Sequence, residues 1–265
     1  MSRTYLALLH YDGRGFQGWQ RQPERRTVQA EVERVLERLM GTRVVAHAAG
    51  RTDAGVHALG MGVSFTVPER WQGPELHRAL NALLPADTWV ESLSAMVPGF
   101  HARKSATGRR YRYDVGTDAA SASPFRHPYE WALGHPLDVA AMRWAAQRLP
   151  GTHDFHAFAV RKAPEEDRAT PVEHQYRSTI RLAEWEERPG GLRFHVAADR
   201  FLHHMVRFLV GTMVDIGRGK RPKEDMATLL ASSDNQATSP PAPAEGLYFV
   251  AAEYPAACYL PGGAA

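Results

Sequence analysis

The stretch 3–11 is apolar and short, which predicts a strand, and Asp12-Gly13-Arg14-Gly15 breaks it. The spacing then changes to that of a helix face, with apolar residues at Val28, Val32, Val35, Leu36 and Leu39. Thr27 stands where an N-cap belongs and Gly41 just past the end. Strand patterns follow over 42–48 and 59–67, separated by a loop framed by Gly50 and Gly55. A helix over 75–84 is stopped by Pro85, and a strand over 88–97 closes the series. The order β-α-β-β-α-β is the split βαβ unit of ferredoxin-like domains.

The second half predicts a strand over 109–115, a helix over 138–149 and a hairpin of 175–186 with 192–198 across Pro189-Gly190-Gly191. A strongly apolar helix over 201–216, another over 222–231 and a last strand over 247–253 complete it. The run Ser239-Pro240-Pro241-Ala242-Pro243 reads as a stiff connector within a domain. The expected class is α+β: two ferredoxin-like domains, residues 1–104 and 105–265, sharing an extended antiparallel or mixed sheet with a central cleft.

Composition narrows the class further. Over 265 residues the chain is 44% hydrophobic and 23% charged, which excludes a disordered chain and a collagen. Its one cysteine, Cys258, rules out an intrachain disulfide or a cysteine-clamped zinc. No apolar run approaches the roughly 18 residues of a membrane span, so a soluble, cytoplasmic protein is expected. The net charge is only +3, but 28 of the 32 cations are arginine, whose planar fork suits phosphate. Two clusters interleave cations with aromatics: Arg14, Arg21, Arg25 and Arg26 around Phe16 and Trp19, and Arg103, Lys104, Arg109, Arg110 and Arg112 around Tyr111. That combination suits RNA, although solvated surface loops would show the same charges.

Three segments carry candidate chemistry. Gly50-Arg51-Thr52-Asp53-Ala54-Gly55-Val56-His57 sets a carboxylate between two permissive glycines just past a strand. It is neither a dinucleotide fingerprint nor a phosphate loop, and the plainer reading is an Asx-turn. In Arg109-Arg110-Tyr111-Arg112-Tyr113 the two tyrosines share one face of a strand, as a platform for a base or as ordinary half-buried rings. Arg207 lies deep in the apolar helix pattern and needs an acidic or phosphate partner to be buried there. His203 and His204, if helical, point about 100° apart and make a poor metal clamp. His153 and His156 have better spacing but lack accompanying ligands, so no metal is expected.

Taken together, the segments resemble one family. Tyr11-Asp12-Gly13, Phe16-Gln17-Gly18-Trp19-Gln20-Arg21-Gln22, Ala49-Gly50-Arg51-Thr52-Asp53-Ala54-Gly55-Val56-His57-Ala58, residues 81–85, Phe100-His101-Ala102-Arg103, residues 109–113, His203-His204-Met205-Val206-Arg207 and Glu245-Gly246-Leu247-Tyr248 are similar, in order, to blocks of the tRNA pseudouridine synthase A family. The resemblance runs from about residue 5 to 255. It implies isomerisation of uridines 38 to 40 of the tRNA anticodon arm to pseudouridine, without cofactor or metal. It puts the catalytic aspartate at Asp53, the base-stacking tyrosine at Tyr111, and supporting arginines at Arg207 and Arg51, with Asp53 as the acid that Arg207 needs. It implies base flipping and a homodimer that grips tRNA. Arg14, Arg21, Arg25, Arg103, Arg109 and Arg110 then become candidates for RNA contact. A non-catalytic structured-RNA-binding protein would use the same clusters but leave the glycine-framed Asp53 without a role. A metal-dependent hydrolase would instead combine it with the histidines.

Overall fold

The computed structural model describes residues 1–160 and 176–264. They form two compact units, Met1–Arg109 together with Tyr248–Ala265, and Arg110–Leu247. The segment after residue 247 therefore packs with the first unit, where the sequence reading had kept it with the second half. The reason lies in strand pairing: β10 (Leu247–Glu253) lies parallel to β3 (His57–Pro68), and β11 (Tyr259–Ala264) pairs antiparallel with β4 (Thr88–Met96).

In the first unit, β1 (Ser2–Tyr11) pairs antiparallel with both β3 and β4, and β2 (His47–Ala48) pairs antiparallel with β3. The local strand order is β11-β4-β1-β3-β10, with β2 beside β3. Helix α1 (Val28–Met40) starts on Thr27, whose hydroxyl accepts from the Ala30 amide, and stops at Gly41 in the left-handed region (φ 73°). It buries Val28, Val32, Val35 and Leu36, as the spacing predicts. Helix α2 (Gly73–Leu83) carries Asn81, whose amide group donates to the Val90 carbonyl (2.9 Å) and accepts from the Val90 amide (2.8 Å). Asn81 thus supplies β4 with the bonds a neighbouring strand would give.

The strand expected over 42–48 shrinks to His47–Ala48. The alternation is present, since Val44 and Ala46 are buried while Arg43 and Val45 are exposed. Its ladder partner is a pair of side chains instead. The Ala46 amide donates to Glu33 (3.1 Å), and the Ala46 carbonyl accepts from Gln29 (3.2 Å), both from α1. Buried polar residues on a helix that otherwise faces the core made this replacement invisible to a periodicity argument.

In the second unit, β5 (Gly108–Gly116), β9 (Gly191–Ala198), β8 (Arg177–Arg188) and β7 (Gly151–Asp154) lie in that order, with β6 (Trp131–Ala132) parallel to β5. The hairpin forms over Pro189-Gly190, with Arg188 opposite Gly191 and Gly190 at φ 76°. Gln175, the expected start of that hairpin, lies outside the described residues. Helix α3 (Val139–Ala146) is capped by Asp138, and α5 (Asp225–Leu230) is shorter than expected. Helix α4 (Met205–Gly217) begins four residues later than the apolar pattern suggests. His204 precedes it in the left-handed region (φ 63°), so His203 and His204 are outside the helix. Their rings lie 4.1 Å apart, and the helical-wheel angle assigned to them does not apply. The proline-rich run packs on α4: Gly211 is required there, since a Cβ would sit 2.1 Å from the Pro240 carbonyl oxygen. Among the described residues no helix is long and apolar enough to cross a membrane. The class is α+β, as expected.

Candidate active site

Asp53 is half-buried on a tight turn between β2 and β3. Its carbonyl accepts from the Val56 amide (3.2 Å), and Gly55 takes φ 80°, a value that disfavours residues bearing a Cβ. Residues 11–19 clamp this turn from two sides, almost entirely through backbone. The Trp19 amide donates to the Thr52 carbonyl (3.0 Å), and the Gly55 amide to the Phe16 carbonyl (3.3 Å). Gly18, at φ 83°, has no room for a side chain: a Cβ would lie 2.6 Å from the Thr52 oxygen. At Gly13 a Cβ would lie 2.2 Å from the Val56 oxygen. The Tyr11 and Thr52 hydroxyls share a buried hydrogen bond of 2.8 Å. The first two sequence blocks are therefore the mould of the third.

His57 follows the turn and opens β3. It is buried and stacks on Tyr248, with centroids 4.8 Å apart and planes at 20°. Its Nδ1 accepts the Gly13 amide (3.1 Å) and lies 3.4 Å from Asp12. One ring nitrogen cannot accept the amide and carry a proton to the carboxylate together. The amide hydrogen bond is the shorter contact, and an amide can only donate, so Nδ1 is the acceptor. Burial pulls the Asp12 carboxyl upward. Hydrogen bonds from the Arg14 side chain and backbone, and attraction to the Arg14 charge, outweigh that and hold it below the ordinary aspartate value.

The expected RNA-facing arginines divide. Arg14 is bound to Asp12 through Nε (2.9 and 3.0 Å) and a terminal nitrogen (2.6 Å). Arg21 pairs with buried Glu33 (3.1 Å). Arg26 makes a two-pronged bridge to Asp87 (2.7 and 2.9 Å) and lies 4.2 Å over Phe16. Arg109 turns inward, donating to the carbonyls of Ala49 (3.1 and 3.2 Å), Arg103 (2.7 Å) and Ala106 (3.0 Å). It thereby ties residues 103–109 to the residue just before Gly50. Arg25, Arg51, Arg103 and Arg110 have exposed side chains.

In the second unit Tyr111 is 9% exposed and meets Phe201 edge-on at 5.0 Å. Tyr113 is fully buried and donates to the Pro243 carbonyl (2.7 Å); burial pushes its hydroxyl well above the ordinary tyrosine value. The two rings are thus unequal, and Tyr113 is a core residue. On the other face of β5, Asp114 receives a two-pronged bridge from Arg193 (2.7 and 2.9 Å), with Arg112 at 3.7 Å. Gly246 lies against Tyr113, where a Cβ would meet the ring at 2.6 Å. Half-buried Arg207 donates from Nε to the Ala242 carbonyl (2.7 Å), and the Ala242 amide donates back to the Arg207 carbonyl (2.9 Å).

A family model described as tRNA pseudouridine synthase matches residues 7–103 and 145–255. The chain is 42% identical over 263 residues to tRNA pseudouridine synthase A of Geobacillus kaustophilus, spanning 98% of each chain. It is 42% identical over 271 residues to that of Solidesulfovibrio magneticus, spanning 99% of this chain and 95% of the relative. The figure is 43% over 261 residues for that of Chloroflexus aurantiacus, spanning 96% and 89%. The segments that mould the Asp53 turn, residues 11–19 and 49–58, lie inside the matched ranges, and together these similarities show that the chain belongs to the tRNA pseudouridine synthase family and is an isomerase.

Proposed function

We propose that this enzyme converts uridine to pseudouridine at positions 38, 39 and 40 of the tRNA anticodon stem-loop, with Asp53 as the nucleophile. The observation that carries the reading is a carboxylate on a turn fixed by backbone contacts, in a chain of this family. The reaction breaks the bond from the ribose C1′ to N1 of uracil and forms one from C1′ to C5. N1 gains a proton and C5 loses one, so no atom or electron is exchanged with a co-reactant. That balance is why the proposal includes no cofactor and no metal. A carboxylate held in place is a competent nucleophile for such a step.

A target uridine in a stem leaves its stack at a cost of a few kcal/mol. Tyr111 offsets part of that cost by stacking on the extracted base, and Arg207 and Arg51 support the acid. Arg25, Arg103, Arg110, Arg14, Arg21 and Arg109 are the proposed phosphate contacts, and Arg14, Arg21 and Arg109 also hold structural contacts within the first unit. The proposal includes two ferredoxin-like domains, because β5, α3, β8, β9 and α4 repeat the first five elements of the first half's βαββαβ order, and β10, sixth in chain order, packs with the first unit. The boundary near residue 104, assembly as a homodimer on tRNA and a cytoplasmic location belong to the same reading.

The test is tritium release from C5-labelled uridine in tRNA, with chelator present. Release mapping to nucleotides 38–40 supports the proposal. Binding without release, or release that chelator abolishes, overturns it.

A further inference from the structure

We infer that His57 is a positioning residue for Asp53, acting through Gly13 by way of its Nδ1 acceptor. The inference rests on the proposed role of Asp53. Gly13 touches the Asp53 turn on its backbone: a Cβ there would lie 2.2 Å from the Val56 oxygen, 2.4 Å from the Val56 carbonyl carbon and 2.8 Å from the Gly55 carbonyl carbon. Two backbones this close transmit any shift of one to the other, because no side chain lies between them to absorb it.

Gly13 is held at both ends of its peptide groups: its carbonyl accepts from the Phe16 amide (3.0 Å), and its amide donates to Nδ1 of His57 at 3.1 Å. The imidazole is itself fixed. It is 2% exposed and lies flat on Tyr248 of β10, and Tyr248 is the register partner of His57 where β10 meets β3. The line of support runs from strand register to ring, from ring to the Gly13 amide, and from Gly13 to the turn that presents Asp53. An imidazole suits this task because it offers a flat face for stacking and an in-plane acceptor at one edge. Phenylalanine offers only the face, and asparagine only an acceptor, its Oδ1 at about the reach of Nδ1.

A nucleophile misplaced by about 1 Å costs on the order of 10²-fold in rate, while binding of a large substrate through distant contacts is unaffected. Steady-state kinetics on full tRNA with His57→Phe, His57→Asn and Asp53→Asn separate the possibilities. The expected result is a kcat for His57→Phe reduced about 30- to 100-fold with KM for tRNA within about threefold of wild type. His57→Asn keeps kcat within about fivefold, because the acceptor remains. Near-normal kcat in the Phe variant overturns the inference, as does an Asn variant as slow as the Phe variant. If His57→Phe lacks a cooperative melt, Tyr248→Leu takes its place, since it frees the ring but leaves the acceptor. That variant should lower kcat about five- to tenfold with KM unchanged, and wild-type kcat there overturns the inference. Turnover retained by Asp53→Asn removes the nucleophile reading itself. An inactive Asp53→Asn beside a fully active His57→Phe removes only the role given to His57.

Discussion

The Asp53 turn is held by main chain, whereas Tyr111 and Arg207 of the second unit are held by what their own side chains touch. Around Asp53 the supporting atoms are amides and carbonyls of residues 13–19 and 52–56, and glycine is obligatory at Gly13 and Gly18. Around Tyr111 and Arg207 they include the Phe201 ring and the Ala242 carbonyl, which the side chains touch, beside the Ala242 amide on the Arg207 main chain. A backbone mould fixes the turn that carries the short acid but tolerates no added atom. Side-chain anchoring leaves a long arginine or a ring some freedom to adjust to a ligand. The residue proposed as nucleophile, which must be exact in place for that role, has the rigid setting, and the groups proposed to stack on the base and support the acid have the adaptable one.

The sharpest break between the regions is Asp53→Asn. The amide keeps size and hydrogen bonding but is a very poor nucleophile, so turnover should fall by about three decades or more with tRNA affinity unchanged. Activity within tenfold of wild type would sink the assignment.

Next comes the mould itself. Gly18→Ala and Gly41→Ala impose similar left-handed strain, at φ 83° and 73°, but only Gly18 has a neighbouring backbone in the way. The first should cost about 2–4 kcal/mol and slow turnover; the second about 1 kcal/mol with turnover intact. Equal losses in a denaturant titration would show that the close packing at Gly18 is unimportant.

On the adaptable side the effects should be graded. Tyr111→Ala loses a stacking surface worth roughly 1–3 kcal/mol, while Tyr111→Phe keeps it. Arg207→Lys keeps the charge but loses the Nε donor and the fork, and should retain more activity than Arg207→Ala. Wild-type kinetics in all four variants would remove the roles proposed for Tyr111 and Arg207.

The smallest effects should separate cations that look alike in the sequence. Arg25→Ala should lower the slope of log affinity against log salt by roughly 0.7–0.9, the share of one phosphate contact, without altering stability. Arg26→Ala should leave that slope unchanged and cost up to about 1 kcal/mol of stability, because its fork is engaged by Asp87. The reverse pattern would mean that pairing with acids does not predict which arginines meet RNA.

The sequence alone determined the α+β class, the order of the longer elements though not β6, β7 or β11, the family, and the Asp53 loop as the place to look. Those depend on local periodicity, caps such as Thr27 and Asp138, and short motifs, all of which are written in neighbouring residues. Tertiary structure decided the rest. It showed that Ala46 takes its bonds from Gln29 and Glu33 rather than from a strand, and that the residues after 247 complete the first unit's sheet. It unwound the start of α4 at His204, and it gave Arg14, Arg21, Arg26 and Arg109 partners within the first unit. It also gave reasons for glycines and a histidine that the motif blocks contained without explaining. The physical reason is common to all of these. A hydrogen bond, an ion pair or a missing Cβ is settled by which distant atom arrives within about 3 Å, and no local pattern records that atom.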